Sequence, residues 1–347
     1  MTEPLSLGGN VNLGLMKPAE HKVLDPADTP SPKPRGVRIL SMDGGGIRGL
    51  YTLDILRALQ RACGGRPVRE CFDLIVGTST GAFIAGCLAA GKDLDAIEAE
   101  YVKVSVSFVG ATPGFFSNIM RLLYGHVIDP AVIHGLLRGF FGTLTLDALP
   151  ATPALLLVAT DPCVGVPRPF LFRNAPLSAA AGADAFPCET RCSVADALRA
   201  VTAAPTYYPA HVIRGRTVVD GAVHANNPAL FAIAEAAALF PNTPIDVLVS
   251  IGTGTESAAT CPVAPSRSLT AWASTLLSMA TETETPHVLA AMLLGATRYV
   301  RLSPERLGDC FLWEADKKVL AYWRAVTHVY CRAHEKALAA LGARLVR

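Results

Sequence analysis

Phe72-Asp73-Leu74-Ile75-Val76-Gly77-Thr78-Ser79-Thr80-Gly81-Ala82 reads as strand, turn and helix. Phe72–Val76 is an apolar run of strand length, and Ala82–Ala90 continues as an apolar helix. Between them stands Gly77-Thr78-Ser79-Thr80-Gly81, a G-x-S-x-G pentapeptide. A sharp strand-to-helix turn needs glycines flanking the serine, because the backbones pass too closely for a Cβ. Such a turn exposes the hydroxyl at a helix N-terminus, where the dipole favours developing negative charge. The same letters also fit a plain glycine-rich turn with a serine cap.

Upstream lies a second unit of the same shape. Val37–Met42 is a short apolar strand, and Leu50–Ala62 has the helical spacing of Leu53, Leu56 and Leu59. They are joined by Asp43-Gly44-Gly45-Gly46-Ile47-Arg48-Gly49. The spacing Gly44-x-Gly46-x-x-Gly49 matches a dinucleotide-binding loop, which alone is weak evidence. That reading expects an acidic residue closing the next strand about 20 residues on. The interval holds Arg61, Cys63, Gly64, Gly65, Arg66 and Arg69, and Glu70 precedes its strand. The alternatives are a tight turn, or a cradle of backbone N–H groups for an anion.

Further along, Leu94–Val106 reads as a helix, and Asp129-Pro130 opens another with Asp129 as N-cap. Strands are expected at Leu155–Ala159, Phe170–Phe172, Thr217–Val219, Ile245–Ile251 and Arg298–Leu302. Helices are expected at Val194–Ala204, Pro228–Leu239, Trp272–Met279, His287–Leu294 and Lys317–Leu341. Apolar strands alternating with helices indicate an α/β protein whose mostly parallel sheet is covered on both faces. Residues 1–35, rich in Pro, Gly and charge, read as a flexible arm. Residues 36–347 read as one domain, with the chemistry-bearing motifs within 37–235 and a helical C-terminal part over 255–347.

Composition narrows the function classes. Of 347 residues 51% are hydrophobic and 17% charged, with a formal net charge of +2, so nothing points to nucleic acid. Mean hydropathy is +0.35, high for a soluble protein, yet no apolar stretch approaches the ~20 residues of a membrane span. The nine cysteines form no C-x-x-C pair and are expected as scattered reduced thiols. The N-terminus has no basic start followed by an apolar run, so an intracellular protein is expected.

The third motif is Asp220-Gly221-Ala222, after the strand Thr217–Val219. Alone, an Asp-Gly pair usually marks a turn. Beside a serine nucleophile it offers a base. Histidine is the conventional base, and eight are present: His21, His126, His134, His211, His224, His287, His328 and His334. His224, four residues after Asp220, is the most tempting, but none shows a triad setting. A Ser–Asp dyad is the leaner reading, provided the site raises the basicity of the aspartate by desolvation or bonds it to the hydroxyl.

In this order the three motifs resemble the patatin-like phospholipase family. So do Ala197–Tyr208, Phe172-Arg173-Asn174, Asn226-Asn227-Pro228, Ser250–Gly254 and Ala280–Glu284, which look closest to the gamma-type calcium-independent branch. The resemblance covers Val37 to Leu302. One departure is Asp220-Gly221-Ala222 where that branch has Asp-Gly-Gly.

The resemblance implies a three-layer α/β/α sandwich and a lipid acyl hydrolase. Ser79 would be the nucleophile and Asp220 the proton acceptor. Gly44, Gly45, Gly46 and Thr80 would form the oxyanion hole, supported by Arg48, Gly49, Gly77, Gly81, Gly221 and Ala222. Arg48 would either hold the glycine loop or meet a lipid phosphate. No metal or cofactor is implied. The partner is a phospholipid or other acyl lipid, reached by peripheral membrane contact. The segment Phe108–Tyr124, aromatic and apolar with Arg121 as its only charge, is the expected contact, with packing over the site as the alternative.

Overall fold

Val37–Met42 forms β1 with all six residues buried, as expected of a strand covered on both faces. In a computed structural model of the chain, the described residues are 35–106, 129–163, 165–177, 186–205, 207–256, 282–306 and 317–347. The expectations for the arm before Arg35, for Phe108–Tyr124 and for Trp272–Met279 fall outside them.

The main sheet contains β1, β2 (Leu74–Thr78), β3 (Ala154–Asp161), β4 (Arg168–Arg173), β5 (Cys188–Glu189), β6 (His211–Ile213), β7 (Arg216–Asp220), β8 (Ile245–Ile251) and β9 (Tyr299–Leu302). The order is β9-β8-β1-β2-β3-β4-β5, with β7 pairing β3 and β6. Strands β9, β8, β1, β2 and β3 are mutually parallel. Strands β4 and β7 run antiparallel to β3.

Side-chain alternation divides the apolar residues between two cores. Leu40, Met42, Ile75, Leu155 and Leu157 face one side. Val37, Ile39, Leu74, Val76, Leu156 and Val158 face the other. The first side is covered by α1 (Gly49–Ala62), α2 (Thr80–Ala89), α3 (Leu94–Val106), α4 (Pro130–Phe141) and α5 (Val194–Val201). The second is covered by α6 (Ala222–Ala225), α7 (Ala229–Leu239) and α8 (Glu284–Leu294). This is the expected three-layer α/β/α arrangement. As expected, Asp129 caps α4, accepting the Ala131 N–H at 2.8 Å with Pro130 in the first turn.

Three helices depart from expectation by three residues or more, and one is α8, which starts at Glu284 instead of His287. The single terminal helix is two, α9 (Lys317–Ala333) and α10 (Glu335–Val346). The break falls at His334, whose ring stacks on Tyr330 at 4.2 Å. It allows both helices to pack on α1. Trp323 of α9 meets Tyr51 at 5.7 Å, and Gly342 of α10 lies so close to Ala62 that a Cβ would sit 2.3 Å from its carbonyl oxygen. Helix α5 ends at Val201 rather than Ala204: its C-cap Thr202 leaves the helical region at φ −104° and ψ 9°, and beyond it the Ala203 carbonyl accepts the Asp220 N–H at 3.0 Å.

Candidate active site

Ser79 sits alone between β2 and α2, at φ 52° and ψ −122°. Positive φ is costly for a residue with a Cβ and persists only when the surroundings over-determine it. Here backbones do so. A Cβ on Gly77 would lie 2.4 Å from the Gly81 carbonyl oxygen, and one on Gly81 would lie 2.3 Å from that of Met42. Ser79 occupies the N-cap of α2 but makes no side-chain cap bond. Its Oγ instead donates to Asp220 Oδ2 at 2.6 Å.

Asp220 is the last residue of β7, opposite Ala159 of β3. Gly221 allows the turn that follows, since a Cβ there would lie 2.1 Å from the Val158 carbonyl oxygen. Ala222 donates its N–H to Asp220 Oδ1 at 2.8 Å. The carboxyl is 2% exposed. Burial pushes its pKa up to about 6, against the opposing pull of the Ser79 and Ala222 hydrogen bonds. Among the described residues, no cation pairs with Asp220 and no histidine bonds to either member of the pair. His224 is exposed, with its ring 6.4 Å from that of Phe231.

The glycine loop lies against the elbow. Gly44 does not match its expected place as an oxyanion donor. Its N–H is spent on the Asn226 carbonyl at 3.0 Å. The three glycine carbonyls are each held. Thr253 Oγ1 donates to Gly44 O at 2.9 Å, and Arg48 Nε to Gly45 O at 3.3 Å. Thr80 Oγ1 donates to Gly46 O at 2.9 Å, and the Tyr101 hydroxyl donates to the same oxygen. Of the two roles open to Arg48, this contact is the loop-holding one. Gly46 has φ 55°, which suits a residue without Cβ. Gly49 allows Thr80 and Tyr101 to close in, since its Cβ would meet Thr80 Cγ2 at 2.1 Å.

Asp43, at the head of the loop, is fully buried. Arg301 grips it with two bonds, 2.9 Å to Oδ1 and 2.5 Å to Oδ2, and also reaches Ser250 Oγ at 2.7 Å. Burial pushes the Asp43 carboxyl up, and Arg301 pulls against it.

Sequence reasoning assigned no role to Tyr101, Asn226, Thr253 or Arg301. One signal was available: an arginine inside the apolar strand Tyr299–Leu302 needs a buried partner. A cleft opens over Ser79 and Asp220, with Phe83, Tyr101, Val104, Ile133 and Leu137 on its walls. Its lining is mostly apolar, with Ser79, Thr80, Tyr101, Thr202 and Asp220 as the polar side chains, as suits a substrate with an apolar tail.

A mostly parallel sheet carrying a serine elbow, a facing aspartate and a glycine loop at its strand ends defines a class of α/β proteins. The patatin-like phospholipase family model matches residues 40–233, more than half the chain, and the chain belongs to that family. It is 30% identical over 279 residues to calcium-independent phospholipase A2-gamma from Mus musculus, covering 78% of this chain and 35% of that protein. Phospholipase A I from Arabidopsis thaliana is 32% identical over 272 residues, 63% of this chain and 21% of its own length. The cUMP-AMP-activated phospholipase of Escherichia coli is 32% identical over 225 residues, 62% of this chain and 64% of its own. The match thus spans about a third of the length of the mouse relative.

Proposed function

We propose that the protein is a calcium-independent lipid acyl hydrolase that cleaves fatty-acyl esters of glycerophospholipids through a Ser79–Asp220 dyad. The observation that carries this reading is the 2.6 Å bond from Ser79 Oγ to a buried carboxylate with no cation partner among the described residues. In the first half-reaction Asp220 takes the Ser79 proton as Oγ attacks the ester carbonyl. The oxyanion is met by the backbone N–H groups of Gly45, Gly46 and Thr80. The intermediate collapses, the Asp220 proton goes to the departing lysolipid alkoxide, and an acyl-enzyme remains. In the second half, water gives a proton to Asp220 and attacks the acyl carbon; as the intermediate collapses to fatty acid, Asp220 returns that proton to Ser79 Oγ.

In this reading nucleophile, base and oxyanion donors all belong to the protein, which supports calcium independence. The names of the gamma-type relatives agree. The hydrocarbon walls of the cleft support a fatty-acyl chain as the bound group. Among the described residues no helix is long and apolar enough to cross a membrane. In this reading the substrate is met by peripheral contact. The free cysteines among the described residues support a reducing, intracellular setting.

The test is mass spectrometry of products from a mixed phospholipid panel, with wild type and Ser79→Ala. Lysolipid and fatty acid should appear with wild type alone. Equal release by the serine variant would end the proposal.

A further inference from the structure

The direction of a carbonyl sets the direction of an N–H, because the two point opposite ways across one trans peptide. The Gly44 carbonyl shares its plane with the Gly45 N–H, a proposed oxyanion donor. That plane lies between two glycines, so no Cβ resists its rotation. A flipped plane would withdraw the donor and present a carbonyl oxygen to a developing negative charge.

The carbonyl is not free to turn. Thr253 Oγ1 donates to it at 2.9 Å in a fully buried contact, across 209 positions of sequence. The loop is wedged between this threonine and the nucleophile. A Cβ on Gly44 would lie 3.0 Å from Ser79 Cβ, and one on Gly45 would lie 2.2 Å from Thr253 Oγ1. Thr253 itself is 4% exposed, two residues beyond the end of β8. The Gly252 N–H before it is fixed to the Leu302 carbonyl at 2.9 Å. Thr253 is not among the described residues lining the cleft, and its bond reaches the loop from the β8 side.

We infer that Thr253 is a positioning residue of the oxyanion hole: its hydroxyl pins the Gly44 carbonyl on the β8 side and so aims the Gly45 N–H at the reacting oxygen. This rests on the serine-hydrolase reading above. It also gives Asn226 a related task, since that residue's carbonyl fixes the preceding peptide through the Gly44 N–H.

Thr253→Val removes the hydroxyl and keeps the branched shape. Thr253→Ala removes it without placing a methyl against Gly45, and serves should the valine variant not fold. Thr253→Ser keeps the donor. On a short soluble ester, kcat of the valine or alanine variant should fall about 10- to 100-fold, less than outright loss of a donor, with KM within about twofold. The serine variant should stay within about threefold of wild type on the same scale. Affinity for an alkyl trifluoromethyl ketone, whose hemiketal oxyanion on Ser79 occupies the hole, should weaken by the factor lost in kcat. A folded valine or alanine variant with wild-type kcat would overturn the inference. So would a serine variant as poor as valine, or a loss that tracks melting temperature and KM. Ser79→Ala, run alongside, separates the two levels. If it stays active, the hydrolase reading has failed; if it is dead while Thr253→Val is normal, only the role of Thr253 has.

Discussion

Asp43 and Asp220 lie near the C-terminal ends of the parallel strands, 0% and 2% exposed, yet they are built for opposite purposes. Asp43 is gripped through both oxygens by Arg301. Among the described residues Asp220 has only neutral partners, a serine hydroxyl and one backbone N–H. Burial raises the proton affinity of both. A guanidinium compensates the charge of the first and makes it a strut under the glycine loop. The second keeps an affinity close to what a base at near-neutral pH requires. The partner, more than the burial, separates a carboxylate held as a strut from one left able to act as a base.

The largest expected effect tests the reactive side. Ser79→Ala and Asp220→Asn should each lower kcat on a soluble ester by about 10⁴-fold or more, without additivity in the double variant. Thermal melting should show the fold intact. An Asp43→Asn variant that lost as much activity at unchanged melting temperature would erase the distinction.

The structural side is tested by Arg301→Met, which leaves a buried carboxylate alone. Urea unfolding should show a loss of about 3–5 kcal/mol. Replacing both partners, Asp43→Asn with Arg301→Met, should recover part of it, since no charge is then stranded. A single variant as stable as wild type would show the pair to be ornamental.

Next comes pH. The folded-state pKa of Asp220 is raised from 3.8 to about 6. Its stabilising contribution is therefore present below about pH 4 and is lost as pH rises through 6. By linkage this amounts to about 3 kcal/mol, so Asp220→Asn should be more stable than wild type by up to that amount at pH 8 and gain nothing near pH 4. Urea midpoints at several pH values measure it. The same carboxyl should give kcat/KM an acid limb near pH 6, because only the ionised form accepts the serine proton. An acid limb near pH 4 would mean that Asp220 titrates like an exposed carboxyl.

The smallest effect belongs to His224→Ala. An exposed side chain with no bond to the dyad should change activity by less than about twofold and stability by about 0.5 kcal/mol or less. A loss as large as that of Asp220→Asn would point to a triad.

Much of this architecture was legible locally. Val37–Met42, Leu94–Val106 and Ile245–Ile251 have the expected boundaries. Their apolar pattern reports burial on one face or two, which is a property of short stretches. The break at His334 was not legible, because the local helical pattern runs through it and the reason lies in how α9 and α10 share α1. The bond beyond the end of α5 is of the same kind, since the Ala203 carbonyl meets the N–H of a residue 17 positions away.

The sequence by itself determined which residues are candidates for the chemistry: a serine between glycines at a strand–helix junction, a glycine loop after an Asp, and a second Asp at a strand end. These are local demands of steric room and chain direction. Only the tertiary structure decided what each does. It spent the Gly44 N–H on Asn226, gave Asp43 a cation from 258 positions away, and withheld one from Asp220 among the described residues. Proton affinity and hydrogen-bond direction depend on what lies within a few ångströms in space, and no spacing along the chain encodes that.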